Sequence, residues 1–308
     1  YSELSKKEKA DAIDQYRLAY LADSVVNWCP GLGTVLANEE VTADGKSERG
    51  NFDVFKRPMK QWMMRITAYA DRLIDDLDFI DWPESLKIMQ RNWIGKSSGA
   101  ILKFDIKDSN NAIEVFTTRA DTIYSAAFLV LAPENPLVEQ VTTAEQKAVV
   151  DKYIKDSSAK NDIERTAQDK EKTGVFTGAY AINPANDEEI PVWIGDFVLA
   201  NYGTGAVFGD IHDERDFEFL NKFNIPAKVT VIPDDEEEAK KVLAKEYPFT
   251  GYGTLIESGE FTGMKSEEAK EKIVAWLETK DHAKETINYR LRDWLFSRQR
   301  YWGEPFPI

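Results

Sequence analysis

GAILKFDI (99–106), NAIEVFTTRADT (111–122), AAFLVLAP (126–133), GVFTGAYAI (174–182), EEIPVWIGDFVLA (188–200) and GTGAVFGDI (203–211) decide the fold. Each is a short run rich in Val, Ile and Phe, set off by Gly, Pro, Asn or Asp, as strands separated by turns are. Together they predict a β-rich domain. Charged helical stretches interrupt it at 142–172, 214–223 and 266–280, the last with an apolar face of Ala269, Ile273, Trp276 and Leu277. The acidic run 234–238 reads as the solvated start of another helix.

Before Gly95 the texture is helical. Residues 6–26 carry Ile13, Tyr16, Leu18, Tyr20 and Leu21 at helical spacing, and 59–77 (MKQWMMRITAYADRLIDDL) is the most strongly marked helix of this region. NWCPGLGTVLANEEV (27–41) predicts a loop and a short strand, and 44–51 a turn between strands. Trp82-Pro83 opens a helix that runs to Gly95, with proline where its missing N–H costs nothing. From Ile287 onward the chain is dense in Arg290, Arg292, Arg298 and Arg300 with Tyr289, Trp294, Tyr301 and Trp302. That mix suits phosphate contact and base stacking, and equally a buried strand flanked by ion pairs. A start without methionine and an end at GEPFPI suggest a piece of something longer.

Composition bounds the chemistry. In 308 residues, 43% are hydrophobic and 30% charged, enough to bury a core. No apolar run approaches a membrane span and no signal peptide is evident, so an intracellular chain without a membrane partner is expected. Thirty-nine Lys and Arg against 54 Asp and Glu give a net charge of −15, which argues against general nucleic-acid binding by a basic surface. Cys29 is the single cysteine and His212 and His282 are the only histidines, so cysteine- or histidine-built metal sites are excluded and no metal site is expected.

Two stretches carry candidate chemistry. In FTTRADT (116–122), Thr117, Thr118 and Thr122 surround Arg119 and Asp121; hydroxyls suit a carbonyl, a ribose or water, although Asp121 or Thr122 could merely cap a following helix. In GDIHDERDFEF (209–219), Asp213 and Asp216 share a helix face after a Gly-rich strand. They could hold an ammonium group, or Asp210 or Asp213 could be the N-cap with Asp216 a dipole partner. His212-Asp213 matches the pair of HD-type phosphohydrolases, but too few histidines remain to complete such a site.

Taken together, NWCPGLGTVLANEEV, QWMMRITAYADRLIDDL, DWPESLKIMQRNWIG, VFTTRADTIY, KEKTGVFTGAYAINP, YGTGAV, HDERDFEF and NYRLRDWLFSRQRYWGEPFPI resemble, in order and spacing, the central part of bacterial-type leucyl-tRNA synthetases. The resemblance implies an α/β architecture: a β-rich editing domain with a barrel-like core and peripheral helices at 96–285, inserted in a class I Rossmann-like catalytic core. Residues 1–95 would be core and zinc-module segments and 286–308 the strand returning to the core. The ATP-binding H-I-G-H and K-M-S-K-S signatures are absent from this chain. The parent would therefore ligate leucine to tRNA-Leu with ATP and magnesium, while this piece would retain cofactor-free hydrolysis of misacylated tRNA. By the family pattern Thr117, Thr118 and Thr122 line the editing pocket and Asp216 binds the α-ammonium. Arg119 and Tyr202 lie near the terminal adenosine, and Asp121, Tyr124, Gly209 and Asp213 complete substrate binding. A cytoplasmic monomer with tRNA-Leu and amino acids as partners is implied.

The chain departs from that pattern at three places. Ala120 replaces a proline; SERGNF (47–52) lacks the cysteines of the zinc module, which would be metal-free; and Val207 with FGDI (208–211) stands where the family reads Met-Ala-Val-Pro-Ala or Met-Ala-Val-Pro-Gly. Gly209 then falls where the family has a pocket-narrowing valine, so either Phe208, Ile211 or Tyr124 fills the space or the pocket is a looser one. The alternative function is a catalytically silent tRNA-docking insertion. The isoleucyl and valyl enzymes fit less well, because their loop resembles Thr-Thr-Thr-Pro-Trp-Thr.

Overall fold

The computed structural model describes residues 5–158, 165, 172–200 and 203–295. They divide into two compact units, one formed by the residues up to Ser97 with those from Asn288, the other by 98–287. The expectations for Tyr202, for most of 159–171 and for Arg298, Arg300, Tyr301 and Trp302 lie outside the described residues. Among the described residues no helix is long and apolar enough to cross a membrane.

In the first unit, helix α1 (Lys6–Asp14) is started by a capping box, Ser5 N–H donating to Glu8 at 2.7 Å and Glu8 N–H to Ser5 at 3.3 Å. Here the sequence reading needs correction. The helix expected over 6–26 stops at Asp14, and strand β1 (Ala19–Cys29) follows. The helix expected over 59–77 begins as strand and turns helical only after it: β3 (Phe55–Met64) pairs antiparallel with β1 from Ala19↔Met64 to Trp28↔Phe55, and short 3-10 turns at Ile66–Tyr69 and Asp76–Asp78 flank the α-helical part. Only Ala70–Asp75 is α-helical (α2). A ten-pair ladder satisfies the backbone of both segments at once, and this tertiary gain outweighs the helical preference of the Met- and Ala-rich run. The β2 strand (Thr34–Leu36) extends β1, and Trp294–Leu295 pairs on the far edge of β3. Helix α3 (Glu84–Ile94) runs as expected from Pro83 to Gly95, which closes it in the left-handed conformation.

The segment read as a zinc-module region, residues 47–52, is closed by a hydroxyl and a ring. Ser47, 1% exposed, accepts the Phe52 N–H at 3.0 Å and donates to the Arg49 carbonyl at 2.7 Å. The Phe52 ring covers Gly31 and Gly50, where any β-carbon would fall 2.4 and 2.2 Å from it. These residues do not fit a zinc ion: the hydroxyl is committed and the space is filled. Among all described residues no group of three His, Cys, Asp or Glu could hold a metal.

The second unit is a seven-stranded sheet in a mixed α/β arrangement with helices around it. Its strands are β4 (Lys96–Ile106), β5 (Ala112–Thr117), β6 (Phe128–Leu131), β7 (Gly174–Ile182), β8 (Glu189–Gly195), β9 (Ala206–Gly209) and, after the two-residue strands β10 (Val231–Ile232) and β11 (Thr254–Leu255), β12 (Ala283–Tyr289). The order is β12-β4-β7-β8-β6-β9, with β5 on β4; β6 runs parallel to β8 and antiparallel to β9. Because β5 packs beside β9, the sheet curls toward a barrel without a strand pair closing it among the described residues. Helices α4 (Leu137–Val141), α5 (Lys147–Ser158), α6 (Glu214–Phe223), α7 (Glu236–Leu243) and α8 (Ser266–Glu278) surround it.

The β6 strand explains why AAFLVLAP shows no alternation: all four of its residues are fully buried. Leu129 and Leu131 join Leu102, Phe104, Ile113, Ile273 and Leu277 in one cluster, whereas Phe128 and Val130 join Ile211, Phe219 and Leu220 in the other. A strand with core on both faces reads as a continuous apolar run.

Candidate active site

Two turns meet at the site: the one that follows β5 and the one that joins β9 to α6. In the first, Thr117 Oγ1 accepts the Arg119 N–H at 2.9 Å, and Ala120–Ser125 form a buried 3-10 turn. Thr118 is exposed. Asp121 is fully buried and takes the Arg119 guanidinium in a fork, Nε–Oδ1 3.0 Å and Nη2–Oδ2 2.9 Å. Arg119 also donates to the carbonyls of Thr250 (2.8 Å) and Gly251 (3.3 Å) and lies 4.8 Å from the Tyr252 ring centre. It therefore staples the threonine turn to the 250–252 loop. Thr122, also buried, donates to the Arg119 carbonyl at 3.0 Å and reaches the Asp210 carboxylate.

The second turn settles which aspartate caps. Asp213 is the N-cap of α6, accepting N–H groups of Arg215 (2.8 Å) and Asp216 (3.3 Å). Asp210, 5% exposed, accepts the His212 N–H at 2.6 Å and faces Arg119; its burial raises its pKa, with His212 and Thr122 opposing. His212 is structural. Its Nε2 accepts from Thr230 and Val231 N–H at 3.1 and 3.2 Å, so Nδ1 carries the proton toward the Phe249 carbonyl at 3.1 Å, and burial keeps the ring neutral.

Asp216 is different. Its carboxylate makes no hydrogen bond or ion pair among the described residues, and burial, then the charges of Asp213 and Asp210, push its pKa well above the ordinary 3.8. The charges of Lys172 and Arg215 oppose that rise. An anion that repels its neighbours and has no close partner is a place where an incoming cation is favoured.

Thr122, Arg119, Asp210 and Asp216 are thus brought into one electrostatic neighbourhood, with Thr117 and Asp121 tied to it through Arg119. Tyr124 is not part of that set. Its ring lies 6.4 Å from Phe261, and it lines a separate cleft of about 570 Å³ with Phe176, Tyr180, Trp193 and Ile225. Gly209 faces the core. A β-carbon there would lie 2.1 Å from the Phe128 ring, which stacks 4.8 Å from Phe219. Phe128 fills the space for which Phe208, Ile211 and Tyr124 were the expected candidates; Phe208 packs toward Phe104 at 6.1 Å and Ile211 joins the Phe128 cluster. The roles of Asp210 and the 249–252 loop were not read from the sequence, since their partners become neighbours only through packing.

The family description "Leucyl-tRNA synthetase, editing domain" matches residues 91–278. Among solved structures, the ternary complex of Agrobacterium radiobacter K84 agnB2 LeuRS-tRNA-LeuAMS is similar at 36% sequence identity and a TM-score of 0.73. The match covers 98% of this chain and 34% of that one, so the chain spans about a third of the length of the synthetase it resembles. A family match over more than half of the residues, carried by the unit that holds the two turns, places this chain in the leucyl-tRNA synthetase editing-domain family.

Proposed function

We propose that the chain hydrolyses the ester of misacylated tRNA-Leu, with isoleucyl, norvalyl and methionyl esters as substrates. The observation that carries this reading is the Asp216 carboxylate, unpaired among the described residues and beside two further acids. An aminoacyl ester presents an α-ammonium group a few ångströms from its carbonyl, and a charge-assisted bond to Asp216 would fix that end. The ester is already activated, so positioning a water and stabilising the oxyanion suffice. Thr117 and Thr118 supply hydroxyls for that water. It adds to the carbonyl, the bond to the ribose oxygen breaks, and the amino acid and the free tRNA hydroxyl leave; no metal or cofactor takes part. Arg119, committed to Asp121, would act by holding the threonine turn near the terminal adenosine, with Tyr202 and Asp213 as outer contacts.

In the parent enzyme, a cytoplasmic monomer, residues 1–95 and 286–308 would belong to the ATP- and magnesium-dependent ligase and 96–285 to editing. The test is deacylation of isoleucyl- and norvalyl-tRNA-Leu by this chain. Release of both esters, lost in Asp216→Ala, is expected. Binding of tRNA without release would leave the silent docking insertion.

A further inference from the structure

Tyr252 presents a ring that the hydrolytic scheme does not use. Among the Phe, Tyr and Trp residues described in the second unit only Tyr180 and Tyr252 are exposed, at 41% and 48%, and Tyr180 lines the other cleft. The loop that carries Tyr252 is pinned on both sides of it. The Phe249 carbonyl meets His212 Nδ1 at 3.1 Å, and the Thr250 and Gly251 carbonyls accept from Arg119 at 2.8 and 3.3 Å. Past the ring, the Gly253 N–H donates to Ser266 Oγ at 3.0 Å and its carbonyl accepts the Ser266 N–H at 2.8 Å. Gly253 also lies so close to the Ile232 carbonyl that a β-carbon would fall 2.0 Å from it. The ring itself rests against the Arg119 guanidinium, 4.8 Å from the ring centre, within the range of a cation–π contact. That guanidinium is neutralised by the buried Asp121, so Arg119 supports the ring and does not offer a free charge to a phosphate.

We propose that Tyr252 is a stacking platform for the terminal adenine of the aminoacylated tRNA. The inference rests on the proposed editing function and deepens it. The ester cleaved at the threonine turn is carried by the last ribose, so its base arrives within one sugar of the residues that Arg119 ties to that turn. A base gains by stacking on an aromatic ring, and a ring already held by its backbone and by a guanidinium loses little freedom in the process. An ordered ring with an exposed face, joined to the turn where the nucleoside must lie, meets both requirements.

The test measures kcat and KM of the full chain on norvalyl-tRNA-Leu and on the same ester carried by a tRNA whose last ribose lacks its base. Wild type, Tyr252→Ala, Tyr252→Leu and Tyr252→Phe are compared, with thermal melts alongside. On the natural end Tyr252→Ala and Tyr252→Leu are expected to raise KM about 5- to 150-fold, the loss of one base–aromatic stack, with kcat within about threefold. Tyr252→Phe keeps the π-face and should bring KM back to within about threefold of wild type. On the baseless end wild type should already show the raised KM, and Tyr252→Ala should add no more than about threefold, because ring and base belong to one contact. An unchanged KM in folded Tyr252→Ala, an equal loss on both substrates, or a Tyr252→Phe as impaired as Tyr252→Ala overturns the platform. Should the alanine variant not fold, Tyr252→Leu, which keeps bulk without a π-face, decides by the same criteria. Cleavage that Asp216→Ala abolishes and the Tyr252 variants leave intact overturns the platform alone. A wild-type chain that cleaves neither ester overturns the proposed function, and the two uncharged RNAs then decide the platform by their dissociation constants. A wild-type preference for the natural end that Tyr252→Ala loses upholds it; equal binding of the two RNAs overturns it.

Discussion

Replacing Asp216 should separate function from stability in opposite directions. An ammonium about 4 Å from a carboxylate gains about 4 kcal/mol at an effective dielectric of 20. Desolvating both groups takes back part of this, leaving about 2–4 kcal/mol, or roughly 30- to 1000-fold in kcat/KM. Asp216→Ala and Asp216→Asn should both lose that much on norvalyl-tRNA-Leu. The same carboxylate is a liability when the site is empty, since burial and the charges of Asp213 and Asp210 disfavour its ionised form. Its raised pKa means that, between the ordinary carboxylate value near 4 and the raised one, the folded chain binds more protons than the unfolded chain. Stability contributed by this group is therefore present at low pH and lost as pH rises through that window. Asp216→Asn should accordingly melt above wild type at pH 8 and level with it at pH 4. Deacylation is followed by release of labelled amino acid, and melting by circular dichroism. A variant that deacylates within threefold of wild type would refute the ammonium role, and one that melts lower at pH 8 would refute the electrostatic argument.

Three further outcomes are expected. Thr122→Ala should begin to hydrolyse leucyl-tRNA-Leu, with a gain of about 1–3 kcal/mol for the removed branch, read as tenfold or more in initial rate. Gly209→Ala drives a methyl into the Phe128 ring and should cost about 1–3 kcal/mol in urea unfolding, recovered in part by Phe128→Leu. Dialysis against a strong chelator should leave the melting curve unchanged, whereas Ser47→Ala, which strands the Phe52 N–H, should cost about 1–3 kcal/mol.

The strands of the editing unit were legible because turn residues punctuate them, and β6 in particular because burial on both faces writes an unbroken apolar run. The β1–β3 ladder was not. Its partners lie up to 45 residues apart, as in Ala19↔Met64, and the half-exposed side chains of β3 show no clean alternation, so a run of Met, Gln and Ala imitates a helix. At the site, Thr122 and Asp216 stood out by spacing and by family pattern. Asp210 could be read only as a possible cap and His212 only as half of a metal pair, because the partners that define them, the N–H groups of Thr230 and Val231 and the Phe249 carbonyl, arrive from later segments. The filling of the Gly209 gap by Phe128 likewise depends on the Phe128↔Gly209 register of β6 and β9.

The phenyl plug under Gly31 and Gly50 changes what the surrounding knuckle responds to. A knuckle held by an ion is stabilised by mass action, so its integrity follows the free metal concentration around it. One closed by a hydroxyl and a part-exposed ring carries its closure in its own side chains, so its integrity follows Ser47 and Phe52 rather than the ions around it.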